Sequence, residues 1–162
     1  MGVGKSSITL ELGHLLGLDT VEMDDYIVQQ EGRSIPEIFD QDGEGYFRQV
    51  ESNLVVTLGE GEPRVISCGG GVPMREENRK NMKKYGTVVL LTARPETIFE
   101  RVRHDQNRPL LKDNMNVEYI AGLMAQRQPA YEQAADFAVS TDGKTPAEIS
   151  REVAALLAQQ QG

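Results

Sequence analysis

The stretch Gly2-Val3-Gly4-Lys5-Ser6-Ser7 decides the fold class of this chain. Its two glycines let successive backbone N–H groups turn inward around phosphate oxygens. A helix predicted over 6–16 begins directly behind them, and its positive N-terminal end faces the same point. Lys5 is placed to reach the β- and γ-phosphates of a nucleotide, and the Ser6 hydroxyl to bind Mg²⁺. The stretch therefore predicts a phosphate-binding loop.

This stretch is only part of the full phosphate-loop motif. In the pattern G-x-x-x-x-G-K-[ST] the first glycine would fall two residues before Met1, and the apolar strand that usually precedes the loop is not in the sequence. A match this short also occurs in glycine-rich turns, so a plain helix cap is the alternative interpretation. Because that strand lies centrally in sheets of this kind, we expect a truncated or mis-started chain.

The composition is that of one ordinary domain of 162 residues. A net charge of −8 repels nucleic acid and anionic membranes, and no apolar run approaches the roughly 20 residues that span a bilayer. Cys68 is the single cysteine, which excludes an internal disulfide and favours a reducing compartment. The N-terminus lacks the pattern of a signal peptide. We therefore expect a cytoplasmic monomer without nucleic-acid or membrane partners.

Helical and extended segments alternate along the chain. The predicted helices cover 6–16, 24–31, 46–58, 75–85, 95–103, 117–134 and 146–160, and Ser34 is expected to cap a further helical segment. The predicted strands cover 20–22, 64–67, 87–91 and 137–140, and the run TVVLL at 87–91 is typical of a strand covered on both faces. This alternation predicts an α/β fold of the P-loop NTPase type, a parallel sheet flanked by helices in three layers.

Six further segments follow the loop in a fixed order: EMD at 22–24, GRSIPEIF at 32–39, DGEGYFRQVE at 42–51, CGGGV at 68–72, NRPLL at 107–111 and RQPAY at 127–131. With the loop they resemble the shikimate kinases over essentially the whole chain. The resemblance implies transfer of the γ-phosphate of ATP to the 3-hydroxyl of shikimate, in chorismate and aromatic amino-acid biosynthesis, with Mg²⁺ as the metal. It also implies a single kinase domain over 1–162, with a substrate-binding segment near 23–53 and a lid near 104–117.

The resemblance assigns the nucleotide side of the site to residues at both ends of the chain. It implies contacts with ATP from the loop, and from Arg101 and Arg108. Arg108 would close over the phosphates, Arg101 would stack on adenine, and the turn at 141–146 would form the adenine loop. For both arginines an ordinary solvated position is the alternative. The loop residues in question are Gly2, Val3, Gly4, Lys5, Ser6 and Ser7.

The metal site carries the one departure from the family pattern. Glu22 occupies the position near the Mg²⁺ water shell where the family usually has Asp, and its extra methylene disturbs the expected metal geometry. Asp25 is the alternative carboxylate, although a strand-to-helix turn directs it elsewhere. With Ser6, Glu22 completes the predicted metal set.

The resemblance assigns the substrate side to an acid, two arginines and the glycine run. Asp24 would hydrogen-bond shikimate and orient or deprotonate the attacking hydroxyl, and a helix N-cap is its alternative role. Arg48 and Arg127 would grip the carboxylate, because guanidinium presents a planar fork of donors. Glu51, one helical turn from Arg48, is expected to hold that side chain in place. Gly70 and Gly71, within Gly69–Gly71, would bring backbone N–H groups to the substrate.

Two other functions remain open from the sequence alone. A related small-metabolite kinase such as a gluconate kinase also phosphorylates a hydroxylated acid, and carboxylate-binding arginines do not exclude it. A catalytically impaired module that binds nucleotide or shikimate is favoured by Glu22 and by the partial loop motif.

Overall fold

The computed structural model describes residues 5–102 and 116–161. Its helices are α1 (Lys5–Leu16), α2 (Met23–Glu31), α3 (Ile35–Gly59), α4 (Glu76–Tyr85), α5 (Pro95–Val102), α6 (Val117–Ala134) and α7 (Pro146–Gln161). Its strands are β1 (Asp19–Glu22), β2 (Arg64–Ser67), β3 (Val89–Thr92) and β4 (Phe137–Ser140), and a 3₁₀ turn covers Val72–Met74. None of these helices is long and apolar enough to cross a membrane.

The strands are parallel and lie among helices, which confirms the predicted α/β class. Over the described residues they form two pairs: β1 lies beside β2 with Glu22 opposite Ser67, and β3 lies beside β4 with Thr92 opposite Ser140. Helix α1 packs on α7 and also contacts β2. In each pair the carboxyl ends of the strands share one edge, where parallel α/β sheets bind their ligands.

An apolar cavity of about 600 Å³ separates the two strand pairs. Residues of β2 and β3 line it, together with Ile8 and Leu12 of α1. The sequence predicted that 87–91 is a strand covered on both faces. Instead β3 begins at Val89, and its side chains are only half-buried because they border this cavity.

Helix α2 starts one residue earlier than the sequence predicted. Glu22 has extended dihedral angles (φ −96°, ψ 114°) and occupies the N-cap position, although its side chain makes no capping hydrogen bond. Asp24 therefore lies inside the first turn, and the alternative interpretation of Asp24 as an N-cap is wrong. Gly32 ends the helix in the left-handed conformation (φ 69°), as its position after Glu31 predicted.

Helix α3 consists of two helical segments that meet at a kink at Gly43, in agreement with the predicted segment capped by Ser34 and the predicted helix over 46–58. Ser34 and Glu37 form a capping box at its start, in which each side chain accepts a hydrogen bond from the other residue's backbone N–H. Gly43 has φ 84° and ψ 167°, a conformation that breaks the helical path without ending the element. Buried Ile38 and Phe47 on either side of the kink belong to one core cluster, which holds the two halves together.

Candidate active site

The glycine run that follows β2 forms the centre of the candidate site. A Cβ added at Gly69 would lie 2.9 Å from Oε2 of Glu51 and 3.1 Å from Oδ1 of Asp24. Two carboxylates from α2 and α3 therefore meet the first glycine directly. Lys5 reaches the same place from α1, since its amine donates a hydrogen bond to the carbonyl of Cys68.

The next two glycines lie against the two predicted arginines. A Cβ at Gly70 would lie 2.6 Å from Nη1 of Arg127, and a Cβ at Gly71 would overlap the guanidinium of Arg48. Such approaches require backbone without a side chain, which explains three consecutive glycines. The structure thus brings together Asp24, Arg48, the glycine run and Arg127, which lie far apart in sequence.

Arg48 is tied to acidic neighbours on its own helix. Its guanidinium contacts Glu51 at 2.8 Å and Glu44 at 3.2 Å, so the expected pair one helical turn apart is present. Glu51 is only 1% exposed, and this burial raises the pKa of its carboxyl although the Arg48 hydrogen bond opposes the rise. Arg48 is therefore fixed in direction before any ligand arrives.

Arg127 has a different environment from Arg48. It is 8% exposed, and its hydrogen bond within the described residues is a long one, 3.4 Å from Nη1 to the hydroxyl of Tyr131. In the same part of the chain no carboxylate lies within ion-pair distance of it. A buried cation is costly unless an anion compensates it, so this guanidinium is suited to receive an anionic group.

The nucleotide side is described in part. Lys5 is the first residue of α1, and Ser6 and Ser7 are exposed in the first helical turn. The predicted contacts Gly2, Val3 and Gly4 lie outside the described residues. The start of α1 nevertheless brings the Lys5 amine to the carbonyl of Cys68, just after β2, as a phosphate-binding helix would.

Glu22 and Ser67 face each other across β1 and β2 at the same edge. Oε1 of Glu22 and Oγ of Ser67 are buried, and within the described residues neither has a hydrogen-bond partner. No cluster of three or more metal-binding His, Cys, Asp or Glu side chains occurs in residues 5–102 and 116–161. These two oxygens fit a hard cation that keeps several waters, as Mg²⁺ does beside phosphates. Asp25, the alternative carboxylate, is exposed.

The two features predicted to contact adenine, Arg101 and the turn at 141–146, lie next to each other in the structure. Nη1 of Arg101 lies 3.3 Å from the hydroxyl oxygen of Thr141, so Arg101 adjoins the turn at 141–146. Arg108 lies outside the described residues, as does most of the predicted lid near 104–117.

A family model described as shikimate kinase matches residues 1–158. The chain belongs to the shikimate kinase family. A shikimate kinase from Deinococcus radiodurans is 43% identical over 94% of this chain and 77% of its own length. One from Thermodesulfovibrio yellowstonii is 39% identical over 94% of this chain and 88% of its own.

Solved structures of the family superpose closely on this chain. A shikimate kinase from Acinetobacter baumannii in complex with shikimate gives a TM-score of 0.94 at 29% identity, covering 99% of this chain and 89% of that one. The enzyme from Aquifex aeolicus gives 0.86 at 34% identity, covering 99% and 94%. The expected P-loop kinase fold is confirmed.

The sequence assigned no role to two residues that hydrogen-bond the glycine run and the residue after it in this shikimate kinase family member. The Tyr131 hydroxyl donates to the carbonyl of Gly70 at 2.6 Å, and Asn78, 1% exposed, donates to the carbonyl of Val72 at 2.9 Å. Tyr131 stood inside the quoted RQPAY segment without a role. Asn78 lies in the predicted helix 75–85, where its signal was an amide among charged residues.

Proposed function

We propose that this protein is an ATP-dependent kinase that phosphorylates the 3-hydroxyl of shikimate, giving shikimate 3-phosphate for chorismate and aromatic amino-acid biosynthesis. Family membership and the shikimate complex of a close structural relative support this substrate. The observation that carries the proposal is buried Arg127, a cation without a carboxylate partner among the described residues, beside Arg48 and the glycine run.

In this proposal the two arginines and the glycine run hold the carboxylate of shikimate. Arg127 supplies a guanidinium whose burial strengthens its attraction for an anion. Arg48, kept in position by Glu51, supplies a second cation, and Gly70 and Gly71 supply backbone N–H donors. The ring would then present its hydroxyls to the opposite, acidic side of the run.

Asp24 occupies that acidic side, next to Gly69. Its carboxylate would accept a hydrogen bond from the attacking hydroxyl and fix the direction of the oxygen lone pair. It would also take the proton as the bond to phosphorus forms. Positioning contributes most to such a transfer, so we assign Asp24 first as an orienting group and second as a base.

ATP and Mg²⁺ are the expected cofactors, and the family uses ATP as the phosphate donor. Lys5 would bind the β- and γ-phosphates, Ser6 would bind the metal, and Glu22 with Ser67 would hold its waters. Mg²⁺ supplies charge neutralisation on the phosphate oxygens. We also propose that Arg101 contacts adenine, that Arg108 closes over the phosphates, and that the enzyme is a single-domain cytoplasmic monomer.

The test is ADP release from ATP·Mg²⁺ with and without shikimate, with gluconate as the competing acceptor and a Lys5→Met variant as the control for contaminating kinases. Release that depends on shikimate and disappears in the variant supports the proposal. Release with gluconate alone supports the related metabolite kinase. Shikimate binding by calorimetry without any turnover supports the binding module. If the protein shows no shikimate binding and no turnover, the proposed shikimate site is rejected.

A further inference from the structure

The carbonyl groups of the glycine run are held in two different ways. The Gly69 carbonyl accepts from the N–H of Val72 at 3.1 Å, and the Gly71 carbonyl accepts from the N–H of Met74 at 3.1 Å. These are local turn bonds. The middle carbonyl, that of Gly70, has no backbone donor among the described residues and accepts from the Tyr131 hydroxyl at 2.6 Å.

This contact controls the direction of an N–H group. A peptide unit is planar and trans, so a fixed Gly70 carbonyl also fixes the N–H of Gly71, pointing the opposite way. Within the described residues the Gly71 N–H has no hydrogen-bond acceptor. It belongs to the residue against which the Arg48 guanidinium packs, and it points away from the Tyr131 hydroxyl.

The same hydroxyl also contacts the second arginine. Nη1 of Arg127 donates to the Tyr131 oxygen at 3.4 Å, and the two residues lie one turn apart on α6. A phenol can donate one hydrogen bond and accept another at once. The Tyr131 hydroxyl therefore donates to Gly70 while it accepts from Arg127, and it joins the peptide to the guanidinium.

We propose that Tyr131 is a positioning residue for carboxylate recognition, whose hydroxyl fixes the Gly70–Gly71 peptide and the Arg127 guanidinium, two groups proposed to bind the acid. The inference rests on the proposed function, because that function identifies the acid. Tyr131 itself does not touch the substrate in this arrangement. It acts through the two groups that do.

The experiment compares Tyr131→Phe with the parent protein by calorimetry and steady-state kinetics. Loss of the hydroxyl frees the Gly70 carbonyl and removes the acceptor of Arg127. We expect the Kd and KM for shikimate to rise roughly tenfold, with kcat and the KM for ATP within about twofold. The matched control is Tyr85→Phe. The Tyr85 hydroxyl donates to Oε1 of Glu60 at 3.3 Å and has no hydrogen bond to the glycine run, so its removal should leave shikimate binding unchanged.

A second ligand separates positioning from a general loss of structure. The methyl ester of shikimate lacks the charged acid, so Tyr131→Phe should weaken its binding by less than about twofold. Calorimetric stoichiometry counts the folded fraction, so a partly unfolded variant still yields a Kd. An unchanged shikimate Kd, or an equal loss for acid and ester, overturns the inference. If the parent protein itself binds no shikimate, the proposed function fails and the inference falls with it.

Discussion

Replacing each arginine of the site by methionine should change stability in opposite directions. Arg127 is buried without a carboxylate partner among the described residues, whereas Arg48 is paired with buried Glu51 at 2.8 Å. Methionine keeps much of the length of the side chain and removes the charge. Arg127→Met therefore removes a buried cation that has no carboxylate at ion-pair distance among the described residues and that acts on Glu51 only from farther away, whereas Arg48→Met leaves buried Glu51 without its ion-pair partner.

The magnitudes follow from the two environments. Exchanging a buried charge for an apolar side chain is often neutral or stabilising, and for Arg127→Met we expect a gain of about 1 kcal/mol, or roughly 2–4 °C in Tm. Removing one partner of a buried pair costs about 3–5 kcal/mol. For Arg48→Met we expect a loss near the lower limit, about 3 kcal/mol, because Glu51 already has a raised pKa and can take up a proton.

Both variants should nevertheless lose the same ligand. Each removes a charge-assisted contact to the carboxylate, so we expect the Kd for shikimate to rise by about 100-fold or more, with ATP binding unchanged. The measurements are thermal unfolding without ligand and calorimetric titration with shikimate and with ATP. Lys80→Met is the control, because Lys80 is exposed and forms only a surface pair with Glu76, so both readings should stay near those of the parent.

Two results would contradict this reasoning. If Arg127→Met lowered Tm as much as Arg48→Met, the Arg127 charge would be compensated in the free protein. If Arg127→Met bound shikimate normally, the buried cation would not be the carboxylate site. In either case the observation on which the proposed function depends would lose its interpretation.

Three further predictions test the surroundings of the site. Gly70→Ala places a Cβ 2.6 Å from the movable end of Arg127, so calorimetry should show roughly tenfold weaker shikimate binding, with a stability loss of about 1 kcal/mol or less in thermal melts. Glu22→Gln removes the carboxylate charge at the metal edge. It should raise the Mg²⁺ concentration for half-maximal activity roughly tenfold without changing the binding of metal-free ATP. Ser34→Ala breaks the capping box with Glu37 and should lower the free energy of unfolding by about 1 kcal/mol, measured by urea titration, with an unchanged KM for shikimate.

Local signals account for what the sequence predicted well about the fold. Ser34 at the start of α3 and Gly32 at the end of α2 act through bonds within a few residues, so their effects are visible in sequence. Glycines at 43 and 45 indicated a break, and Gly43 is indeed non-helical. The packing of Ile38 and Phe47, one from each side of the break, into one core cluster was not predictable in this way.

The sequence predicted which substrate-side residues come together, but not the energetics of their environments. The motif order indicated Asp24, Arg48, the glycine run and Arg127, and all of them lie together. Their burial depends on how α6 packs on the 3₁₀ turn and how α3 packs on α4, which involves residues far apart in sequence. The sequence therefore could not separate Arg48, which is paired with Glu51, from Arg127, which has no carboxylate at ion-pair distance among the described residues. Nor could it show that the Tyr131 hydroxyl lies 2.6 Å from a glycine carbonyl.

The net charge of −8 and the proposed binding of two anions are compatible because the cations of the site are local and partly dehydrated. An exposed lysine or arginine in such a protein would be screened by salt and by neighbouring acids. Arg127 is only 8% exposed and lies against bare glycine backbone, so it is less screened by salt, and a carboxylate at contact distance would be attracted strongly. We expect the same burial to destabilise the free protein. The gain in Tm expected for Arg127→Met and its loss of shikimate binding therefore have one physical cause, and each should appear only with the other.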